Sequence, residues 1–236
     1  MSEEQHRISP RALLRQQSWL SPVFPIGSYS YSHGIEWAVE AGYIKDRTLL
    51  VDWLQADLCY GSGRNEKIFF TEAWDAAIKE DHERLLEVAE LAAVFRGTSE
   101  FALESSQQAS ACLATLRAVW PDRILDWLFH TLRERYISPA LAVVLGISSA
   151  RQGIDLRLAL AAFLQSYVAN LVTAGVRLIP LGQTDGQLAV AELEGAVLAA
   201  TSQLSECTIH DLGSAGFMVD LASMSHETQY TRLFRS

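Results

Sequence analysis

The sequence has few cysteines, and their spacing excludes a disulfide framework. Only three of the 236 residues are cysteine, Cys59, Cys112 and Cys207, and they form neither a C-x-x-C motif nor an even set. Isolated cysteines of this kind indicate free thiols in a reducing cytosol. The first 17 residues also lack the apolar run and the small-residue cleavage site of a secretory signal, so we expect a cytoplasmic protein.

Basic charge is also scarce. The chain carries 19 basic against 28 acidic side chains, a net charge of −9. Proteins that hold nucleic-acid phosphates rely on lysine and arginine and are usually basic, so we expect no nucleic-acid partner. Disorder is excluded as well, because 49% of the residues are hydrophobic and such a chain can bury enough apolar surface to fold.

One uncharged run is nearly long enough to span a bilayer. Residues 158–176 contain no charged side chain, but Ser166, Asn170, Thr173 and Arg177 recur at helical spacing along it and form a narrow polar line. A mostly apolar helix with such a line is typical of a central helix surrounded by protein. We therefore predict a buried helix and no membrane association.

The apolar pattern is helical over most of the chain, and sustained strand alternation is absent. Residues 83–96 place their apolar side chains on one helix face and their glutamates on the other. We predict an all-α fold: one compact domain over residues 1–236 with about eight to ten helices. Residues 1–10 and the C-terminal tail are expected to be flexible. Helix starts are predicted at Ser138–Pro139, at Asp155 and at a Thr184–Gln187 capping box.

The usual catalytic and metal-binding motifs are missing. No Gly-Lys dipeptide is present for a phosphate-binding loop, and the pattern H-E-x-x-H that begins at His226 fails at Tyr230. The histidines are interpreted as solvated side chains, although transient metal contact by His33 or His226 stays open. Glu36 and Glu40 are read as flanking a solvated strip. We predict no catalytic residue and no metal site, and favour a binding module over an enzyme.

Two segments differ from the helical pattern. Residues 18–34 form an uncharged loop with several aromatic side chains, which is either packed into the core or a contact surface for another protein. Residues 226–236 form a mildly basic tail on an otherwise acidic chain. A chain end of this kind is usually frayed unless it is bound.

Three segments of the chain, which include parts of these two, resemble the signature blocks of a known family. The blocks are S-P-V-F-P-I-G-S-Y-S-Y-S-H-G-I-E (21–36), A-G-V-R-L-I-P-L-G-Q-T-D-G-Q (174–187) and H-E-T-Q-Y-T-R-L-F-R-S (226–236). In order and spacing they resemble the urease accessory protein UreF family. The chain departs from that pattern at residues 66–68 and 97–100, so family contacts made through those residues are not expected to carry over, and the departures concern surface detail more than family identity.

The resemblance implies a dimeric helical chaperone that helps deliver nickel to apo-urease. It implies a UreD-type (UreH) partner, recruitment of the GTPase UreG, contact with apo-urease through the complex, and no tightly bound nickel or other cofactor. The tail would become ordered on the UreD-type partner. Arg177 either ends its helix favourably, or contacts the GTPase or lines a route for the metal, and we favour the partner contact. The implied partner-binding residues are Pro25, Gly27, Tyr29, Tyr31, His33, Glu36, Arg177, Pro180, Gln183, His226, Glu227, Gln229, Tyr230, Arg232, Phe234 and Arg235.

Two other functions stay open at this stage. The first is a small helical enzyme whose site is assembled from the aromatic loop, for example by Tyr29, His33 and Glu36. The second is a direct nickel carrier that binds through His33, His210 or His226.

Overall fold

The computed structural model describes residues 9–202 and 208–236, and these residues form one compact all-helical domain with no strand. The predicted fold class is confirmed, with eleven α-helices in the described part of the chain. They are α1 (Pro10–Trp19), α2 (Ile35–Glu40), α3 (Arg47–Tyr60), α4 (Ser62–Lys79), α5 (His82–Val94), α6 (Ser99–Val119), α7 (Arg123–Glu134), α8 (Leu141–Arg151), α9 (Leu156–Leu178), α10 (Gln183–Ser202) and α11 (Phe217–His226). Short helices such as α2 show too little periodicity to be counted from sequence.

Helices α4, α8 and α9 form the centre of the domain. Helix α8 is buried around its whole circumference, since all of residues 142–150 are buried, as expected for a mostly apolar helix enclosed by others. Helix α4 packs along α8, while α9 contacts both of them and also α2, α3 and α10. This arrangement leaves α11 on the outside, against α2 and α6.

The apolar run predicted as a buried helix lies in α9. By length and composition alone this helix could cross a membrane, and it is the one such helix in the described residues. Half of its most apolar window is buried inside the domain, and Ser166 on its polar line donates a hydrogen bond to the Leu20 carbonyl. The contacts of α9 with five other helices agree with the predicted central position.

The predicted helix boundaries have mixed outcomes. Asp155 caps α9 as predicted, since its carboxylate accepts from the Arg157 and Leu158 N–H groups. The start at Ser138–Pro139 is wrong, because the backbone stays extended to the buried Ala140. The capping box at Thr184 is also wrong, because α10 already begins at Gln183 and Thr184 lies inside the helix. The Asp185 carboxylate instead accepts from the Gly182 N–H.

Other expectations concern the chain ends and the thiols. Residues 1–8 lie outside the described residues, and the next residue, Ser9, caps α1 with its side chain. Cys59 and Cys112 are free thiols as predicted, whereas Cys207 lies outside the described residues. The amphipathic pattern of residues 83–96 is confirmed by α5, which buries Leu85, Val88, Ala89 and Ala92.

The contact between α4 and α8 generates a stability prediction. A Cβ at Gly146 would lie 2.5 Å from the Phe70 carbonyl oxygen, so Gly146→Ala must push two central helices apart. We expect it to lower the free energy of unfolding by about 1–3 kcal/mol, measured by urea denaturation.

The exposed Gly195 of α10 provides the matched control. It has no atom within 4 Å of its would-be Cβ, so Gly195→Ala is expected to stabilise the protein by up to about 1 kcal/mol through helix propensity. Equal effects of the two substitutions would contradict the close packing of α4 on α8.

Candidate functional site

A buried cluster of one histidine and two carboxylates lies where α2, α6 and α11 meet. His226 is 0% exposed. Its Nδ1 lies 2.9 Å from Glu100 Oε2, and its Nε2 lies 3.0 Å from Glu36 Oε2. Both ring nitrogens can donate to these oxygens only when the ring is an imidazolium. Burial raises the pKa of the Glu100 carboxyl, although His226 and Arg232 oppose this rise.

The backbone before α2 brings this cluster together. Gly34 has a φ of 79°, and a Cβ at this position would lie 2.8 Å from the Ser223 backbone nitrogen of α11. Only glycine combines the left-handed conformation with so close an approach. Since Glu36 is in the first turn of α2, the contact places its carboxylate beside His226 at the end of α11.

The C-terminal tail, residues 226–236, is packed against the domain. The Glu36 carboxylate accepts hydrogen bonds from the N–H groups of Leu233 (2.6 Å) and Phe234 (2.9 Å), and Arg232 donates to Glu100 at 3.2 Å. Beyond them, the Arg235 N–H donates to the Ser30 carbonyl, and the Ser32 N–H donates to the Ser236 carbonyl.

Three expectations therefore need correction. The tail is docked rather than frayed, because the carboxylates of the cluster bind its backbone and Arg232. His226 is fully buried and paired instead of solvated. Glu36 does not flank a solvated strip with Glu40: it is buried, because α11 and the tail cover it, while Glu40 is exposed.

Arg177 joins the three sequence blocks that resemble the UreF family. Its Nη1 donates to the Tyr29 carbonyl at 2.8 Å, and its guanidinium carbon lies 4.3 Å from the ring centre of Phe234. It also occupies the last turn of α9, where a cation is favourable. The Tyr29 side chain itself is 68% exposed. One face of the domain thus presents parts of the loop, of α9 and of the tail together.

A second polar cluster lies beneath the aromatic loop. His33 Nε2 lies 2.6 Å from Ser62 Oγ, and Ser62 Oγ lies 2.8 Å from Asp57 Oδ1. Tyr167 donates to Asp57 Oδ2 at 2.7 Å, while His33 Nδ1 lies 3.2 Å from Glu104. Burial opposes the charged form of His33, but the carboxylate of Glu104 outweighs it, and the pKa of His33 lies above its usual value.

The aromatic loop, residues 18–34, is interpreted from the sequence either as packed into the core or as a contact surface. Different parts of it match the two interpretations. Residues 31–36 are buried, and His33 stacks on Phe101 with ring centres 3.9 Å apart. Val23 and Tyr29 are largely exposed. The loop is therefore both a core element at its C-terminal end and a surface at its tip.

The second cluster has the connectivity of a serine–histidine–carboxylate triad, but its electrostatics differ from those of a nucleophilic site. Ser62 Oγ donates its one proton to Asp57 Oδ1, so His33 Nε2 donates to Ser62 instead of accepting its proton. The Asp57 carboxylate would also repel an oxyanion formed at Ser62. The geometry therefore supports a structural tie between the loop, α4 and α9.

A cavity of about 320 Å³ adjoins this cluster. Trp19, Phe101 and Phe163 line it together with His33. Two buried polar atoms of its lining residues, Arg96 Nη2 and Ser105 Oγ, form no hydrogen bond. Within residues 9–202 and 208–236, no group of three or more His, Cys, Asp or Glu side chains is arranged to hold a metal ion.

The remaining predicted site residues divide into two groups. The first group contacts other parts of the domain: Tyr31 and Arg235 donate to Gln107, Glu227 accepts from Ser99, and Gln229 donates to Glu40. The second group is solvent-exposed: Pro25, Pro180, Gln183 and Tyr230. Gly27 adopts a left-handed turn before the 3-10 helix Ser28–Ser30, with a φ of 70°.

Sequence reasoning missed two buried carboxylates. Glu100 lies in one of the segments treated as surface detail, and Glu66 in the other. Both are buried: Glu100 pairs with His226 and Glu66 with Arg96. A usable signal was the one-turn spacing of Glu100, Glu104 and Gln108, which places a polar stripe on one face of α6.

These observations define a single-domain helical protein whose buried charges pair with one another and whose loop and tail share one surface. A sequence model of the UreF family matches residues 44–194. Proteins named urease accessory protein UreF are similar over 225 residues, 95% of this chain: 46% identical in Rhodopseudomonas palustris strain BisB5 (91% of that protein), 45% in Bradyrhizobium diazoefficiens (92%) and 46% in Granulibacter bethesdensis (94%). The chain belongs to the UreF family of urease accessory proteins, which confirms the resemblance.

The raised pKa of His33 generates a pH prediction. A histidine with a raised pKa stabilises the folded state below its unfolded pKa, about 6.5, and this stabilisation is lost as the pH rises through the folded value. We expect the urea midpoint of the wild-type protein to fall between pH 6 and pH 9, and to fall less in His33→Gln. The exposed His130 supplies the control, since His130→Gln is expected to retain the wild-type slope. An unchanged slope in His33→Gln would contradict the assignment.

Proposed function

We propose that this protein is a scaffold in urease maturation that binds a UreD-type (UreH) protein and recruits the GTPase UreG. Through that complex it contributes to nickel incorporation into apo-urease. In this proposal it catalyses no reaction itself, works in the cytoplasm as a homodimer, and handles nickel as cargo of the complex without binding it tightly. Membership of a family of urease accessory proteins supports the pathway.

The exposed face of α11 is the observation that carries the scaffold role. Phe217, Leu221 and Met224 are 75%, 47% and 50% exposed and follow one another at helical spacing along one side of the helix. The opposite side buries Val219, Ala222 and Ser223. Apolar side chains grouped on a surface are typical of protein–protein contact sites.

The tail extends this surface. Tyr230 is fully exposed, and Leu233 is 58% exposed even though its backbone is bound to Glu36. Aromatic and large apolar side chains are frequent anchors of interfaces. We assign the outward face of α11 and the exposed side chains of the tail to the UreD-type partner.

The contact of Arg177 with Tyr29 and Phe234 supports a binding site for the GTPase at this surface. Arg177 belongs to the exposed residues although its guanidinium is held by two other segments. An arginine fixed in this way loses little further conformational freedom when a partner binds. We assign UreG to the surface around Arg177 and Tyr29.

The carrier alternative is disfavoured by the positions of two histidines. Both ring nitrogens of His226 face carboxylates, and those of His33 face Glu104 and Ser62. Binding a nickel ion at either ring would break buried hydrogen bonds that have no replacement partner. His210 is exposed, and among the described residues it belongs to no group of three or more His, Cys, Asp or Glu side chains that could hold a metal ion.

Substitution on α11 tests the scaffold. We expect Phe217→Ser combined with Met224→Ser to weaken capture of the UreD-type partner at least about tenfold, because large apolar anchors supply most of the binding energy of such interfaces. Capture is measured by titration with the purified partner. Leu198→Ser on α10 is the control, since Leu198 is 62% exposed on another helix. Wild-type capture by the double variant would refute the assignment of α11.

Substitution of Arg177 tests the GTPase site. With the UreD-type partner present, Arg177→Ala is expected to lower UreG binding at least about tenfold, whereas capture of the UreD-type protein is retained. Arg133→Ala is the matched control, because Arg133 is also exposed in the last turn of its helix, α7. Normal UreG binding by Arg177→Ala, measured by pull-down and light scattering, would remove Arg177 from the interface.

A further inference from the structure

The same two carboxylates bind His226 and the tail. Glu36 accepts from the His226 ring and from two tail N–H groups, and Glu100 faces the ring and accepts from Arg232. The protonation state of the His226 ring therefore affects the net charge around Glu36 and Glu100, the two carboxylates that hold the tail. No other described residue contacts both carboxylates through its side chain.

Charged groups face His226 from each element packed around it. Glu36 belongs to α2, Glu100 belongs to α6, and Arg232 belongs to the tail. Glu227 follows His226 directly, and its charge further raises the pKa of Glu100. With the imidazolium and Arg232 both positive, the two buried carboxylates are balanced.

We propose that protonated His226 is a latch that keeps the tail docked, and that loss of its proton to solvent releases the tail. This inference rests on the proposed function in one respect only, namely that docking of the tail forms part of the surface that the UreD-type partner contacts. The latch itself is a property of the isolated chain.

The chemistry of the neutral ring supports this reading. A neutral imidazole has one N–H donor and one lone pair. Whichever nitrogen loses the proton then directs its lone pair at a carboxylate oxygen about 3 Å away, inside a region that excludes water. Two buried negative charges then remain with a single cation, Arg232, which is itself partly exposed. Such an imbalance is costly, and hydration of the carboxylates after the tail leaves relieves it.

Nuclear magnetic resonance of the full-length chain, with ¹⁵N-labelled histidine, tests the latch between pH 5.5 and pH 9.5. We expect both ring nitrogens of His226 to be protonated at the acidic end. As the ring loses its proton, the Leu233 and Phe234 amides, which bind Glu36, are expected to lose at least about tenfold of their protection against hydrogen exchange, corrected for the intrinsic rate at each pH.

Glu100→Gln is the decisive variant. A glutamine amide can donate to His226 Nδ1 or accept from it, so either form of the ring is satisfied on that side. The tail amides of Glu100→Gln are therefore expected to stay protected over the whole range. This result would not follow from a general loss of stability at high pH, which would affect both proteins alike.

Two controls separate the latch from neighbouring histidines. His33 reaches the tail through Glu104, which accepts from Ser236 Oγ at 3.1 Å, so Ser236→Ala removes that route and is expected to retain the pH dependence. The exposed His210 is the histidine control, and His210→Asn is expected to behave as wild type.

Three outcomes would overturn the proposal. These are a His226 ring that is neutral at pH 5.5 while the tail is docked, tail protection that does not follow the titration of the ring, and the same pH dependence in Glu100→Gln. Capture of the UreD-type partner is measured separately at both ends of the pH range. A tail that opens with pH while capture is unaffected would retain the latch and refute the tail's role in the proposed function.

Discussion

The pairing of buried charge is the constraint on which the rest of this structure depends. A carboxylate taken out of water is strongly destabilising unless cations and N–H donors surround it. Glu36 and Glu100 meet this requirement with His226, Arg232 and the tail backbone. Since these partners come from opposite ends of the chain, the cluster forms only when α2, α6 and α11 have reached their final positions. It therefore selects one arrangement of the outer helices around an apolar centre that alone would tolerate several.

The two polar clusters connect different parts of the protein. The network around Ser62 connects the loop to α4 and α9 in the interior, beside the cavity. The cluster around His226 instead connects elements at the periphery, and much of what it holds is exposed. Both clusters share one chemical feature, a buried histidine with a carboxylate beside its Nδ1.

The sequence was informative where local pattern decides structure and uninformative where distant segments meet. Periodicity predicted the all-α fold, the apolar face of α5 and the central position of α9, because each depends on neighbours a few residues apart. The partners of His226 lie 126 and 190 residues away, and no local rule connects them. Motif resemblance singled out Arg177, Glu36 and Phe234 as partner-binding residues, and only the fold shows that Glu36 and Arg177 both contact Phe234. Glu100 was missed because its role depends entirely on a residue in another helix.

The two faces of helix α11 are under different structural constraints. Its inner face fits the backbone at Gly34 and shares a hydrogen bond between Ser223 and Thr98, so a change there disturbs the chain itself. Its outer face contacts nothing in the described chain that restricts the size of Phe217. Divergence within this helix can therefore accumulate on the outward positions, in step with whatever surface they meet, without loss of the fold. Exchanging these outward side chains between related proteins would be the simplest way to change which protein surface the helix recognises.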